Sequence, residues 1–242
     1  MTVFLTSSPT GPLDNSRSVD GLDSKNSFIE NLRSRWTENA RVLYITATPT
    51  EFRQNDWICE GMMGVFQRQG MTISVFDIWD DRRDVSKEEL CSYHVLILGG
   101  GHVPTQNEFF HRISLREKMA DFHGIVMGIS AGTMNCADLV YAQPEMPGEA
   151  TDPAYVRFLP GLGLTDINIL PHYQMVKDFY LDGMGLFEDI TYGDSYGQSF
   201  LALPDGSYVL IEDGKALLFG EAYRIADGKT EQICHDNQVT EI

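Results

Sequence analysis

The chain has 242 residues, 43% of them hydrophobic, with 35 acidic against 18 basic side chains and a formal net charge of −17. That length suits one α/β domain, residues 1–242. The charge repels phosphate backbones and anionic bilayers, and the chain has no apolar run of about 18 residues, so neither nucleic acid nor a membrane is an expected partner.

The opening "MTVFLTSSPTG" lacks a basic leader and reads as a first strand. A polar loop, Ser7 to Asn26, follows, with Asp23 or Ser24 as the N-cap of a helix over "FIENLRSRW". Strand and helix signals then alternate. "RVLYITA" (41–47) is an apolar strand run, and "NDWICEGMMGVFQRQG" (55–70) has helical spacing and stops at Gly70. "TISVFDI" (72–78) is strand-like, "KEELCSY" (87–93) a short helix, and "HVLILGGG" (94–101) a strand running into glycines. "PTQNEFFHRISLREKMADF" (104–122) predicts one helix with Pro104 in its first turn, "GIVMGIS" (124–130) a strand, and residues 131–139 the start of another helix. Gln143 to Gly163 is an irregular connection. Beyond it three Asp-Gly pairs, at 205, 213 and 227, separate β-rich runs and predict antiparallel hairpins at one edge of the sheet. Continuous apolar strands alternating with helices indicate a mostly parallel central sheet covered on both faces.

The four cysteines, Cys59, Cys91, Cys136 and Cys234, are widely spaced, and a chain this long needs no disulfide staples, so reduced thiols in a cytoplasmic protein are expected. His102 and His111 are nine apart, which is not a zinc spacing, and no metal is expected.

In an open parallel sheet, ligands gather beyond the carboxyl ends of the strands. Two such ends carry glycines: "LILGGG", Leu96 to Gly101, and "MGISAG", Met127 to Gly132. Gly128-Ile129-Ser130-Ala131-Gly132 fits the G-x-S-x-G corner that holds a serine up for reaction, its neighbours small so that the turn can close. The amide of Ala131, at a helix start, and those of Gly100 or Gly101 are candidate donors to an oxyanion. A serine hydroxyl needs a base. His172, after the apolar run of "INILPHYQ", is the best candidate, and His102 on the glycine loop is its rival. The acid that would orient the imidazole is Asp205 in "LALPDGSY" or Glu145 in "QPEMPG"; Glu221 has a strand context that suggests a structural role.

"LILGGGH", "MGISAGTMN", "ILPHYQ" and "LALPDGSY", in that order, resemble the aspartyl dipeptidase (dipeptidase E) family of serine peptidases, whose sheet is similar to that of class I glutamine amidotransferases. The resemblance implies Ser130 as nucleophile, His172 as base, Asp205 where the family has glutamate, and Glu145 in the loop of the family's other proposed acid. It implies no cofactor, a small peptide as substrate, and a monomer or homodimer. His102 replaces the asparagine that commonly follows the glycines, and its side chain is expected to contact substrate or oxyanion. The family's taste for an N-terminal aspartate is attributed to a cation after the histidine motif. Here Tyr173 to Leu203 carries Lys177 as its only lysine or arginine, so an altered substrate preference is expected. Two other readings use the same residues: a cyanophycinase-like or other acyl hydrolase, and a non-catalytic binding homologue.

Overall fold

The structure is a computed structural model, described here for residues 1–10 and 21–242. The middle of the expected Ser7–Asn26 loop, residues 11–20, lies outside the described residues.

Five parallel strands form the centre: β1 (Thr2–Thr6), β2 (Ala40–Ile45), β3 (Ile73–Trp79), β4 (Val95–Leu98) and β5 (Ile125–Ile129). Their order is β3-β2-β4-β5-β1, so the two glycine-marked strand ends are neighbours. Alternate residues face opposite layers. Leu5, Leu43, Leu96, Leu98 and Val126 point into one buried cluster, while Phe4, Val42, Tyr44, Ile97 and Met127 point into another. Burial on both faces is why these strands read as unbroken apolar runs.

The covering helices are shorter than the periodicity predicts. α1 (Phe28–Arg33) follows a 3₁₀ turn, Lys25–Ser27. Asp23 does not cap the helix; its carboxylate accepts the Lys25 amide at 2.9 Å, and left-handed Ser27 occupies the cap position. α2 (Phe52–Arg68) is the one long helix, and α3 (Lys87–Leu90) is a single turn. The helix expected over 104–122 is broken into α4 (Val103–Arg112), α5 (Leu115–Lys118) and a 3₁₀ turn, because Ser114 takes φ 52°. The helix expected from 131 ends after one turn, α6 (Ala131–Met134), and the chain enters a small hairpin of β6 (Leu139–Tyr141) and β7 (Phe158–Pro160).

The last third builds a second layer. β8 (Asn168–Leu170) leads to α7 (Tyr173–Val176), a tight hairpin of β9 (Tyr180–Leu181) and β10 (Met184–Gly185), a π-helical turn (Leu186–Thr191) and α8 (Tyr192–Asp194). β11 (Ser199–Ala202) runs parallel to β8. The expected edge hairpins divide between two sheets. β12 (Tyr208–Glu212), β13 (Lys215–Phe219) and β16 (Val239–Glu241) extend the main sheet antiparallel beyond β1, whereas β14 (Ala222–Ala226) and β15 (Lys229–Cys234) join β11 and β8 in a separate four-stranded sheet. Asp213-Gly214 and Asp227-Gly228 are two-residue turns with φ positive at both positions, the geometry that Asp-Gly favours. Asp205-Gly206 is no hairpin: it carries the chain from one sheet to the other.

Two glycines of the serine corner have no room for a side chain. A Cβ on Gly132 would lie 2.1 Å from the Leu98 carbonyl oxygen, and one on Gly128 would lie 2.7 Å from Thr133 Cα. Gly132→Ala should therefore cost roughly 3 kcal/mol or more, since backbone must move to admit it. Gly61→Ala, in α2 with nothing within 4 Å, should instead be neutral or stabilising by up to about 1 kcal/mol. Urea unfolding of the two variants checks the contrast.

Candidate active site

Two neighbouring strands, β4 and β5, end on one cleft, and β1 ends beside them. From β5 the chain turns sharply into α6 at Ser130, whose φ 50° and ψ −113° are unfavourable for a residue with a Cβ. Such a conformation costs about 1–3 kcal/mol and persists only where neighbours hold it. Here the Ser130 amide donates to Thr6 O at 3.2 Å, Thr133 Oγ1 donates to the same oxygen at 2.8 Å, and Thr6 Oγ1 donates to Gly128 O at 2.7 Å. The corner is thus clamped to the end of β1.

His172 and Asp205 come from the second layer. β8 and β11 are parallel and in register, Leu170 opposite Ala202. The ladder continues past their ends, Leu203 N–H to Leu170 O at 2.9 Å and Tyr173 N–H to Leu203 O at 3.2 Å. Residues just beyond two paired parallel strands must be neighbours, and these are His172 and Asp205. His172 Nδ1 lies 2.7 Å from Asp205 Oδ1, and His172 Nε2 lies 2.9 Å from Ser130 Oγ. The imidazole keeps about a fifth of its surface exposed (22%), while the Asp205 side chain has none (0%).

Sequence reasoning missed two partners of this line. Ser7, one residue past β1, donates its hydroxyl to Asp205 Oδ1 at 2.7 Å and accepts the His172 amide at 2.8 Å. Gln174 donates to Asp205 Oδ2 at 2.8 Å and accepts the Asp205 amide at 3.0 Å. Gln174 sits inside the "PHYQ" motif and was open to notice. Ser7 is 198 residues from Asp205, and no local pattern marks it. Burial alone would raise the Asp205 pKa, but hydrogen bonds from His172, Ser7 and Gln174 and the charge of His172 outweigh it and hold the carboxyl below its ordinary value.

The glycine loop faces Ser130: a Cβ on Gly100 would stand 3.4 Å from Ser130 Cβ. The Gly99 amide is spent on Ile45 O, but those of Gly100 and Gly101 donate to no backbone carbonyl among the described residues. Gln106 fixes the loop, donating to Gly99 O at 2.7 Å and accepting from Asn135 at 3.0 Å, and Asn107 donates to Asn135 Oδ1 at 2.9 Å, so buried polar links join α4 to the end of α6. His102 does not turn toward Ser130. Its ring nitrogens pair with Thr105 Oγ1 at 2.7 Å and Glu149 Oε1 at 2.8 Å.

Glu145 is in the cleft but not on His172; its Oε1 accepts the Val103 amide at 2.9 Å. The residue is exposed on the rim, yet its carboxyl end is crowded enough that burial raises its pKa, against the lowering effects of the Val103 amide and the nearby His102 and His172. Glu221 accepts the Tyr223 hydroxyl and is spent within its own strand region. The cleft has a volume of about 260 Å³. Its wall combines Gly101, Ser130, Gln143, Glu145 and His172 with the apolar side chains of Val103, Met134, Pro144, Pro171, Met175, Val176, Phe179 and Leu186. Among the described residues no lysine or arginine lines it.

A serine held on a strand-to-helix corner of a mostly parallel sheet, with a glycine loop beside it, is suited to acyl transfer, the chemistry of serine-type peptidases. The sequence profile of peptidase family S51 matches residues 15–219, and the chain belongs to that family, a serine-type peptidase of the dipeptidase E kind. Two solved structures are similar in fold. A peptidase from an acI-B1 Actinobacterium superposes with a TM-score of 0.60 at 13% identity, over 100% of this chain and 96% of that one. A peptidase E candidate from Listeria monocytogenes EGD-e superposes with a TM-score of 0.55 at 14% identity, over 96% and 98%. No curated protein matches the sequence. Among the described residues no helix is long and apolar enough to cross a membrane.

Removing the Ser7 hydroxyl should weaken Asp205 specifically. Because the folded Asp205 pKa is depressed, its contribution to stability is present above about pH 4 and lost as pH falls through the folded value. Ser7→Ala moves that value up, and should cost about 1.5–3 kcal/mol at pH 7 and distinctly less at pH 3. Denaturant unfolding at the two pH values measures the difference.

Proposed function

We propose that the protein hydrolyses short peptides through Ser130, His172 and Asp205. The observation that carries this reading is the continuous line from Ser130 Oγ through His172 to Asp205, at 2.9 and 2.7 Å.

In this mechanism His172 Nε2 takes the Ser130 proton as Oγ attacks the scissile carbonyl carbon. The amides of Gly100, Gly101 and Ala131 receive the oxyanion, and one such donor is worth roughly 3–4 kcal/mol. The C–N bond then breaks, and His172 returns its proton to the leaving amine. Water attacks the acyl-serine and gives a proton to His172, which passes it to Ser130 Oγ as the ester bond breaks and the acid departs. Asp205 orients the imidazole and stabilises its charged form. Glu145, the alternative acid, is supported less well, because its carboxylate is held by the Val103 amide and no bond joins it to His172. His102 serves the loop through Glu149 in this reading and does not touch the reacting atoms.

A fluorophosphonate should label Ser130, and Ser130→Ala should abolish the label, read by intact mass. Asp205→Asn should lower kcat on a responsive dipeptide by about 10⁴-fold, through a misoriented imidazole. A larger loss in Glu145→Gln than in Asp205→Asn would exchange the two acids. Release of aspartyl-arginine dipeptide from cyanophycin, without cleavage of dipeptides, would favour the acyl hydrolase alternative.

A further inference from the structure

Two carboxylates, four residues apart, sit on the loop that closes the cleft, and they are used differently. Glu149 is saturated. Its Oε1 meets His102 Nε2 at 2.8 Å, and its Oε2 accepts the amides of Glu145 and Met146, each at 2.9 Å. These donors outweigh burial and hold its pKa below the ordinary carboxylate value. Among the described residues Glu145 has one hydrogen-bond donor, the Val103 amide on Oε1. It makes no ion pair among the described residues, and its side chain forms part of the cleft wall. A carboxylate on a cleft wall, with one oxygen unmatched among the described residues, favours an incoming cation.

Its position says which cation. Val103 is two residues beyond Gly101, so the backbone that would hold the scissile carbonyl oxygen also holds Glu145. In a peptide, the nitrogen of the first residue is separated from its carbonyl carbon only by Cα. If the first carbonyl is at Ser130, the free α-ammonium falls close to the glycine loop, and the first side chain enters the remaining wall. That wall is Met134, Met175, Val176, Phe179 and Leu186, and among the described residues no lysine or arginine lines it. An aspartate side chain would meet apolar surface and the Glu145 charge with no compensating cation among those lining residues, a poor exchange for its hydration.

We infer that Glu145 is the receptor for the substrate's α-ammonium, and that the cleft selects peptides with a free N-terminus and an uncharged apolar first residue. This rests on the peptidase reading above for its register, but the recognition is separable from the chemistry. Glu145→Gln suits the test, because its amide oxygen can still accept the Val103 amide while the charge is lost.

The substrates are Leu-Ala, Met-Ala, Asp-Ala and N-acetyl-Leu-Ala. The wild-type enzyme should favour Leu-Ala and Met-Ala over Asp-Ala by at least about tenfold in kcat/KM, and N-acetylation should cost about 100-fold. Glu145→Gln should raise KM for Leu-Ala by about 10- to 100-fold, with a smaller change in kcat, and should shrink the acetylation penalty to a few-fold. Calorimetric titration of Ser130→Ala with Leu-Ala and N-acetyl-Leu-Ala reads recognition without turnover, and only the free dipeptide should bind. Binding of that kind with no hydrolysis by wild type would overturn the peptidase reading and leave the ammonium site standing. Hydrolysis of free and acetylated peptides at equal rates, an acetylation penalty undiminished in Glu145→Gln, a preference for Asp-Ala, or no binding of Leu-Ala by Ser130→Ala would each overturn the inference, the first three without touching the peptidase reading.

Discussion

The parallel pairing of β8 with β11 is the constraint on which the site depends. It lies outside the main sheet, involves three residue pairs, and puts His172 beside Asp205 simply because both follow the ends of in-register strands. The main sheet does the same for Ser130 and the glycine loop, since β5 and β4 are parallel neighbours. The cleft is the seam where these two sets of strand ends meet. Ser7 stitches that seam. It leaves the main sheet at the end of β1 and bonds to both His172 and Asp205 in the other layer.

Strain and packing around the serine support each other. Ser130 occupies a backbone conformation that a free chain avoids, and the corner survives because Thr6 and Thr133 tie it to β1 while Gly128 and Gly132 permit near contact with Thr133 and Leu98. The glycine loop is close as well: a Cβ on Gly100 would stand 3.4 Å from Ser130 Cβ, and among the described residues the amides of Gly100 and Gly101 donate to no backbone carbonyl. A scaffold that is dense behind the serine and open in front of it is suited to polarising a carbonyl, because the donors do not have to reorganise when charge develops. The cleft draws its lining from both sides of the same seam: Gly101, Val103, Ser130 and Met134 follow β4 and β5, while His172, Met175, Val176, Phe179 and Leu186 come from the segment after β8.

Most strands of the main sheet were legible because two-sided burial leaves continuous apolar runs, and the adjacency of β4 and β5 followed from consecutive βα units, whereas the pairings of β1 with β5 and of β2 with β4 skip along the chain. The helices were less so. Residues 104–122 keep an apolar periodicity across Ser114, and only the left-handed backbone there breaks them into pieces. The segment after Ser130 looked helical for nine residues and stops after four, where Leu139–Tyr141 instead pairs with Phe158–Pro160. The C-terminal Asp-Gly turns were visible as turns, but which sheet each hairpin would join depends on contacts far along the chain.

The sequence by itself determined the chemistry available: a serine between glycines after an apolar strand, a histidine after another, an acid on a turn, and Lys177 as the single lysine or arginine between Tyr173 and Leu203. Those are local patterns, written in neighbouring residues. It left two acids open and gave His102 a place near the reacting atoms. Only the tertiary structure decided that Asp205 touches His172, that Glu145 is held by the Val103 amide instead, and that His102 is taken up by Glu149 and Thr105. The reason is that hydrogen-bond partners are chosen by strand register and by the meeting of two layers, and contacts such as Ser7 with Asp205, separated by 198 residues, leave no mark on either local stretch of sequence.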